Sequence, residues 1–438
     1  MNRVILYFTI VFALFFSSCK KEIENEYRIV YPDASPSKIT LSVDKVINDS
    51  TITLKWNKTG GAHFKQYILT RTANIFRNGT FVQDYTTKTI SNADSLTYTE
   101  NSMPFAADIQ YIVYAQTDSL KYNNYASVTY HRPGTYQSAA FSDAIPDREH
   151  KILYLISREY GTITAVDYIN YKLIKTINAG ISLGYSALGS YNGNNNELYL
   201  PTNDGWLYIY DTATLTLKDK IYVQGGVIGS VVTANGLLFI GSSDRSFGGF
   251  YDNTVKIYNR ETKKLLGLTG TWDNTRLMLL PNTQYSLIDI TFNLIPTDLN
   301  LYTISAEGIP LTKTPDNYHG DHALNPNVVA VFPDGSHFIT AATGAIYTKG
   351  LVYEKDIARA GNYVDFAVNN AGSVIYAASA NTNQVDAIAY PSGTILKSFK
   401  TKLNPAKLFI DGNQLICITG DQFHTNNTNI FFVEKFNL

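Results

Sequence analysis

Between residues 36 and 133 apolar and polar positions alternate in short runs, broken by Asn, Asp, Gly and Ser. A period of two marks half-buried strands. The runs at 39–43, 51–56, 66–72, 79–85, 95–99, 109–117 and 126–130 predict seven of them. Seven short strands in about 100 residues predict a β-sandwich. After a linker at His131-Arg-Pro-Gly134 the pattern changes, because solid apolar runs now recur at wide intervals. They read ILYLIS (from Ile152), ELYLPT (Glu197), LLFIGS (Leu237), YSLIDI (Tyr285), HFITAA (His337), VIYAAS (Val374) and QLICIT (Gln414). With Tyr154, Tyr199, Phe239, Leu287, Phe338, Tyr376 and Ile416 taken as equivalent, the steps are 45, 40, 48, 51, 38 and 40 residues.

Each run is followed by a polar turn and a second strand: TITAVDY, WLYIYDT, TVKIYNR, DLNLYTI, GLVYEKD, QVDAIAY and NIFFVEK. Five repeats add a third element of the KLIKTI or ILKSFK type, and VVAVFPDG, VDFAVNNAG and AKLFIDG precede three of the runs. Four short strands per repeat, seven times, predict a β-propeller, and no helical period appears. The expected fold is all-β, a sandwich at 36–133 and a seven-bladed propeller at 134–438. The last repeat stops after its third strand, so its outer strand is expected from around residues 130–141.

Four resemblances sharpen this picture. Trp56 in ITLKW, the following YILTR, and SLTYTENSMPFAADIQYIVYA with Tyr111 resemble a fibronectin type III domain, which implies a spacer with Trp56 as a structural residue. VIYAASANTNQVDAIAYPSGTILKSF and ILYLISREYGTITAVDYINYKLIKTI resemble YVTN-type and quinoprotein-like propeller repeats. The first eighteen residues carry Arg3, an apolar run over 4–16 and Phe-Ser-Ser before Cys19. That run is shorter than the roughly 20 residues a membrane span needs. It resembles a bacterial lipoprotein signal, although Phe16 stands where leucine is commonest. The resemblance implies lipidation at Cys19, a membrane anchor through that lipid, and a charged tether over 19–35. Lys-Lys-Glu-Ile-Glu-Asn-Glu (20–26) resembles the surface-export signal of Bacteroidota lipoproteins, which implies an outer-membrane lipoprotein displayed on the cell surface, with the periplasmic face as the alternative.

Composition removes several classes. A net charge of -1 lacks the basic excess of a nucleic-acid binder. Of two cysteines, one is Cys19 and the other, Cys417, lies in an apolar run, so no disulfide framework is expected. The 32 Tyr and 22 Phe suit strands.

In a propeller the blade-to-blade loops and the loops between each blade's second and third strands share one face. This rule gathers Tyr185, Trp272, Asp273, Arg276, Tyr318, His319, Asp321, Arg359 and Tyr363 with Asp244, Arg245, Phe250, Tyr251 and His424. Aromatic rings beside Asp and Arg suit sugars, where rings stack on pyranose faces and polar groups hold hydroxyls. Trp272 and Tyr185 have packing between blades as their alternative. The stretch DNYHGDH at 316–322 admits a metal set of His319, Asp321 and His322. Gly-Asp-His before a strand also resembles the structural histidine of tryptophan–aspartate repeats, which makes His322 a structural residue, and no metal or cofactor is expected. Neither a Ser-x-Asp-x-Gly-x-Thr-Trp box nor a Gly-x-Ser-x-Gly elbow occurs. The expectation is non-catalytic binding of a glycan, peptide or envelope protein on the loop face. Its rivals are a polysaccharide lyase or hydrolase working through His319, Asp321 and Arg245, and a scaffold subunit of an envelope complex.

Overall fold

The computed structural model describes residues 37–59, 64–77, 80–117, 124–139, 141–189, 196–223, 226–243, 252–283, 285–357, 362–420 and 428–438. They form two compact units, the smaller centred on 37–72, 85–103 and 110–129 and the larger on 130–438.

The smaller unit is a sandwich of a three-stranded sheet (Leu41–Asn48, Thr51–Trp56, Thr97–Glu100) and a four-stranded sheet ordered Thr80–Ile90, Phe64–Arg77, Asp108–Thr117, Asn124–His131. Trp56 is buried with its ring edge-on to Tyr67 (centroids 5.6 Å apart). Tyr111 is buried as well, and its hydroxyl donates to Glu100 (2.7 Å), whose other oxygen pairs with Arg71.

The larger unit holds seven antiparallel four-stranded sheets, the blades, the first six ordered inner to outer along the chain. Blades 1 to 6 span 143–178, 187–222, 228–269, 275–315, 329–356 and 363–400. Blade 7 takes Asn404–Asp411, Gln414–Gly420 and Thr428–Asn437, then borrows Thr135–Ala139 as its outer strand. The register runs from Thr428 opposite Ala139 to Phe432 opposite Thr135, inside the stretch expected to close the ring. In blade 5 the sequence pattern misleads. GLVYEKD contains the outer strand, Tyr353–Asp356, and the third strand is Ala345–Thr348. The turn between second and third strands there is only Ala341–Gly344, with Ala341 at φ 65° and Gly344 at φ 71°, and its alanines hide it among apolar residues.

The solid apolar runs follow from burial on both faces. In Ile152–Ser157, Leu153 and Leu155 pack with Phe409, Ile416 and Phe431 of blade 7. Tyr154 and Ile156 point the other way, to Leu198 and Leu200 of blade 2. Five further inter-blade cores complete the ring. Each fully buried Leu or Ile contributes about 1.5–3 kcal/mol relative to exposure, so one blade serves two cores at once. Blades 1 to 6 share a bulge between third and fourth strands, at 165/166, 209/210, 257/258, 303/304, 346/347 and 387/388. It increases strand twist beside the turn that joins the two strands.

Candidate functional site

Residues 316–322 connect the outer strand of blade 4 to blade 5. The Tyr318 N–H donates to Asp316 Oδ1 (2.9 Å) and the Asp321 N–H to Tyr318 O (3.1 Å), so the stretch is a wound turn. Gly320 sits at φ +96°, and a Cβ there would fall 2.6 Å from Pro296 in a neighbouring loop. His322 lies flat on Tyr353 (centroids 3.5 Å apart, 9° between planes), with Tyr318 edge-on to it at 4.7 Å. The hydroxyl of Tyr318 accepts from the Tyr353 N–H (3.1 Å). Tyr318 and His322 are thus engaged in packing, whereas His319 and Asp321 are exposed. Among the described residues no group of three or more His, Cys, Asp or Glu side chains could hold a metal ion.

Tyr185, expected on the open loop face, is only 4% exposed. Its hydroxyl donates to Asn327 Oδ1 (2.6 Å) between blades 4 and 5, and its ring stacks on Phe292 of blade 4 (5.6 Å, 9°). The guanidinium groups of Arg158 and Arg276 lie 3.8 and 4.3 Å from the ring centre. Contacts from blades 1, 4 and 5 therefore converge on a side chain that enters from the loop before blade 2. Tyr185 plugs one end of the propeller axis, held by π-stacking and cation–π attraction. The loop reaches in because Gly184 lacks a side chain: a Cβ there would lie 2.4 Å from the carbonyl oxygen of Gly229. Arg276 is fixed in turn by the carbonyls of Pro326 (3.0 Å) and Asn327 (3.4 Å).

Two more predicted loop-face residues are inside the structure. Asp273 is buried and accepts from Ser242 Oγ (2.6 Å). Tyr363 is buried and donates to Asp386 Oδ2 (3.3 Å). Trp272 is half-buried. Asp244, Arg245, Phe250, Tyr251, Arg359 and His424 lie outside the described residues, as does Cys19.

Next to the plug, sharing Arg276 with it, lies a cavity of about 500 Å³ bounded by the inner strands of blades 1, 4, 5, 6 and 7. That is within the roughly 300–1,000 Å³ range of small-molecule sites. Its deep part carries Asp143, Arg276, Asp365 and Lys407, each in the first half of its inner strand. Its mouth is formed by Arg148, Pro333, Asn370 and Gly412, which belong to turns after those strands. Lys407 Nζ pairs with Asp365 Oδ1 (3.1 Å), and the Leu408 N–H donates to Asp365 Oδ2 (2.7 Å). Burial pushes the Asp365 carboxyl above its ordinary range, and Lys407 and the Leu408 amide offset this only in part. At the mouth Arg148 Nε donates to Ile410 O (2.8 Å).

The pattern reading did not single out Asp143, Arg148, Arg158, Asn327, Asp365 or Lys407. A signal existed for two of them, since Asp365 and Lys407 interrupt the otherwise apolar inner-strand runs VDFAV and AKLFI. Position in the strand gave no hint that both face one cavity, because blades 6 and 7 meet only in three dimensions.

No protein-family model matches the chain. No curated protein matches it either.

Proposed function

We propose that this chain is a lipid-anchored outer-membrane lipoprotein that binds a small glycan or peptide without catalysis, inside the propeller channel rather than on its loop face. The observation that carries this reading is the cavity itself. Its deep side carries Arg276, whose guanidinium lies against the buried Tyr185 ring, its mouth is lined by exposed turn residues, and fixed charges stand at depth. The loop-face aromatics Tyr185 and Tyr363 are buried, which takes these two rings out of a surface stacking platform. The anchor rests on the residues before Cys19, and display on the cluster at 20–26.

Thermal-shift screening of the purified protein against mono- and oligosaccharides and short peptides tests the binding. Asn370 is exposed at the cavity mouth, so Asn370→Trp obstructs entry without disturbing a core. Every stabilising ligand should lose its effect in that variant. Ligands that bind the variant unchanged would place the site elsewhere, and product formation on incubation would favour the enzyme reading. Membrane fractionation of Cys19→Ala tests the anchor, with release into the soluble fraction expected. Proteinase shaving of intact cells tests display.

A further inference from the structure

We infer that the cavity ligand carries a carboxylate, which Arg276 binds at the deep end while Asp143 accepts a donor from the same ligand. This inference rests on the channel reading above.

The charges at depth are unequally satisfied. Lys407 and Asp365 answer each other at 3.1 Å, and the second Asp365 oxygen takes the Leu408 amide at 2.7 Å. Arg276 is different. Its Nη1 meets two backbone carbonyls, and no carboxylate among the described residues lies within ion-pair distance of it. Arg158, on the same tyrosine ring, has its Nε buried with no hydrogen-bond partner among the described residues. Two guanidinium groups thus stand at one channel end without a salt bridge among the described residues, Arg276 acting on Asp365 only at longer range. Both groups are half-buried, and a cation partly withdrawn from water favours a paired anion that offsets its desolvation. Guanidinium is also the side chain whose fork of donors fits a carboxylate with two parallel hydrogen bonds.

Asp143 fixes the rest of the ligand. It is buried at the first position of its inner strand, and its Oδ1 accepts the neighbouring Ala144 amide (2.9 Å). No cation among the described residues pairs with it. It therefore has acceptor capacity for a hydroxyl or ammonium group, and it disfavours a bare anion. A carboxylate on a body bearing hydrogen-bond donors satisfies both ends. Acidic sugars and peptides with free termini both have this chemistry.

Isothermal titration calorimetry with two matched pairs separates them: galacturonate against galactose, and alanyl-alanine against its C-terminal amide. In at least one pair the acid should bind ten-fold or more tightly than its neutral partner, and the pair that does so names the source. Arg276→Gln keeps a donor for the Pro326 carbonyl and should reduce the preference to below about three-fold. Circular dichroism melting of the same variant checks its fold. If Arg276→Gln fails to fold, the acid-to-neutral ratio in the native protein still decides. Equal binding of acid and neutral partners, or silence from both acids, overturns the carboxylate assignment. A neutral ligand that Asn370→Trp still blocks would then leave the channel reading standing, whereas binding that survives Asn370→Trp overturns both.

Discussion

Two buried carboxylates, one between blades 2 and 3 and one in the channel wall, meet burial in opposite ways. Glu197 receives Arg260 through two bonds (2.9 Å each), Tyr199 OH (2.6 Å) and Lys218 (2.9 Å), and Arg260 also reaches Asp219 (3.0 Å). Burial alone would raise its carboxyl, but these bonds outweigh burial and hold it below the usual range. Asp365 has one lysine and one amide, and burial prevails. The first is a closed ionic staple between blades. The second borders open volume, with the Arg276 guanidinium nearby that forms no salt bridge among the described residues. Burial of charge therefore marks structure where partners are complete, and a site where they are not.

Removing the staple should have the largest effect. Arg260→Ala leaves Glu197 buried without its bidentate partner and should lower stability by about 3–5 kcal/mol in urea unfolding. A third carboxylate sharpens the contrast, because Asp289 has only neutral partners: Asn300 through backbone (2.9 Å) and side chain (3.1 Å), and Tyr302 OH (3.0 Å). Burial pushes its carboxyl up to about 7, against those hydrogen bonds. With the folded value above the unfolded one, the native state holds the extra proton, so stability is full below about pH 4 and falls as pH rises towards 7. Asp289→Asn should remove the Asp289 share of that slope and stabilise the protein at pH 8 by up to about 4 kcal/mol, read from paired melts at pH 5 and 8. In the channel, Lys407→Met should cost about 1–3 kcal/mol at pH 8 and less as the pH is lowered, because burial already raises the Asp365 carboxyl and loss of the lysine raises it further. A pH-independent loss would mean that Lys407 contributes packing only. The smallest change is Tyr185→Phe, which deletes the bond to Asn327 and should cost about 0.5–1.5 kcal/mol while the plug remains.

Much of the architecture was legible because propeller blades write their period into the chain. The seven apolar runs lie on the second strands, and each is apolar throughout since both of its faces are covered. Blade 5 was misread where Ala341 and Ala342 occupy a turn without polar punctuation. The loop-face rule correctly brought Tyr185 and Arg276 to one end of the ring, yet it could not separate an exposed ring from a plug. That distinction depends on how far the Gly184 loop reaches towards the axis, which is a radial coordinate with no counterpart in strand order. Asp365 and Lys407 were hidden for a related reason, as each completes the other from an adjacent blade.

The borrowed outer strand of blade 7 also sets a timetable. Thr135–Ala139 leaves the ribosome about 290 residues ahead of its partner in Thr428–Asn437. At the usual ~5–20 residues per second, that edge waits some ~15–60 s with its hydrogen-bonding groups unpaired. Six blades can fold from neighbouring hairpins as they emerge, but the ring shuts only when the final hairpin arrives. A nascent chain stalled before residue 428 would present both an open first edge and an unfinished last blade, which is the state most exposed to pairing with another copy.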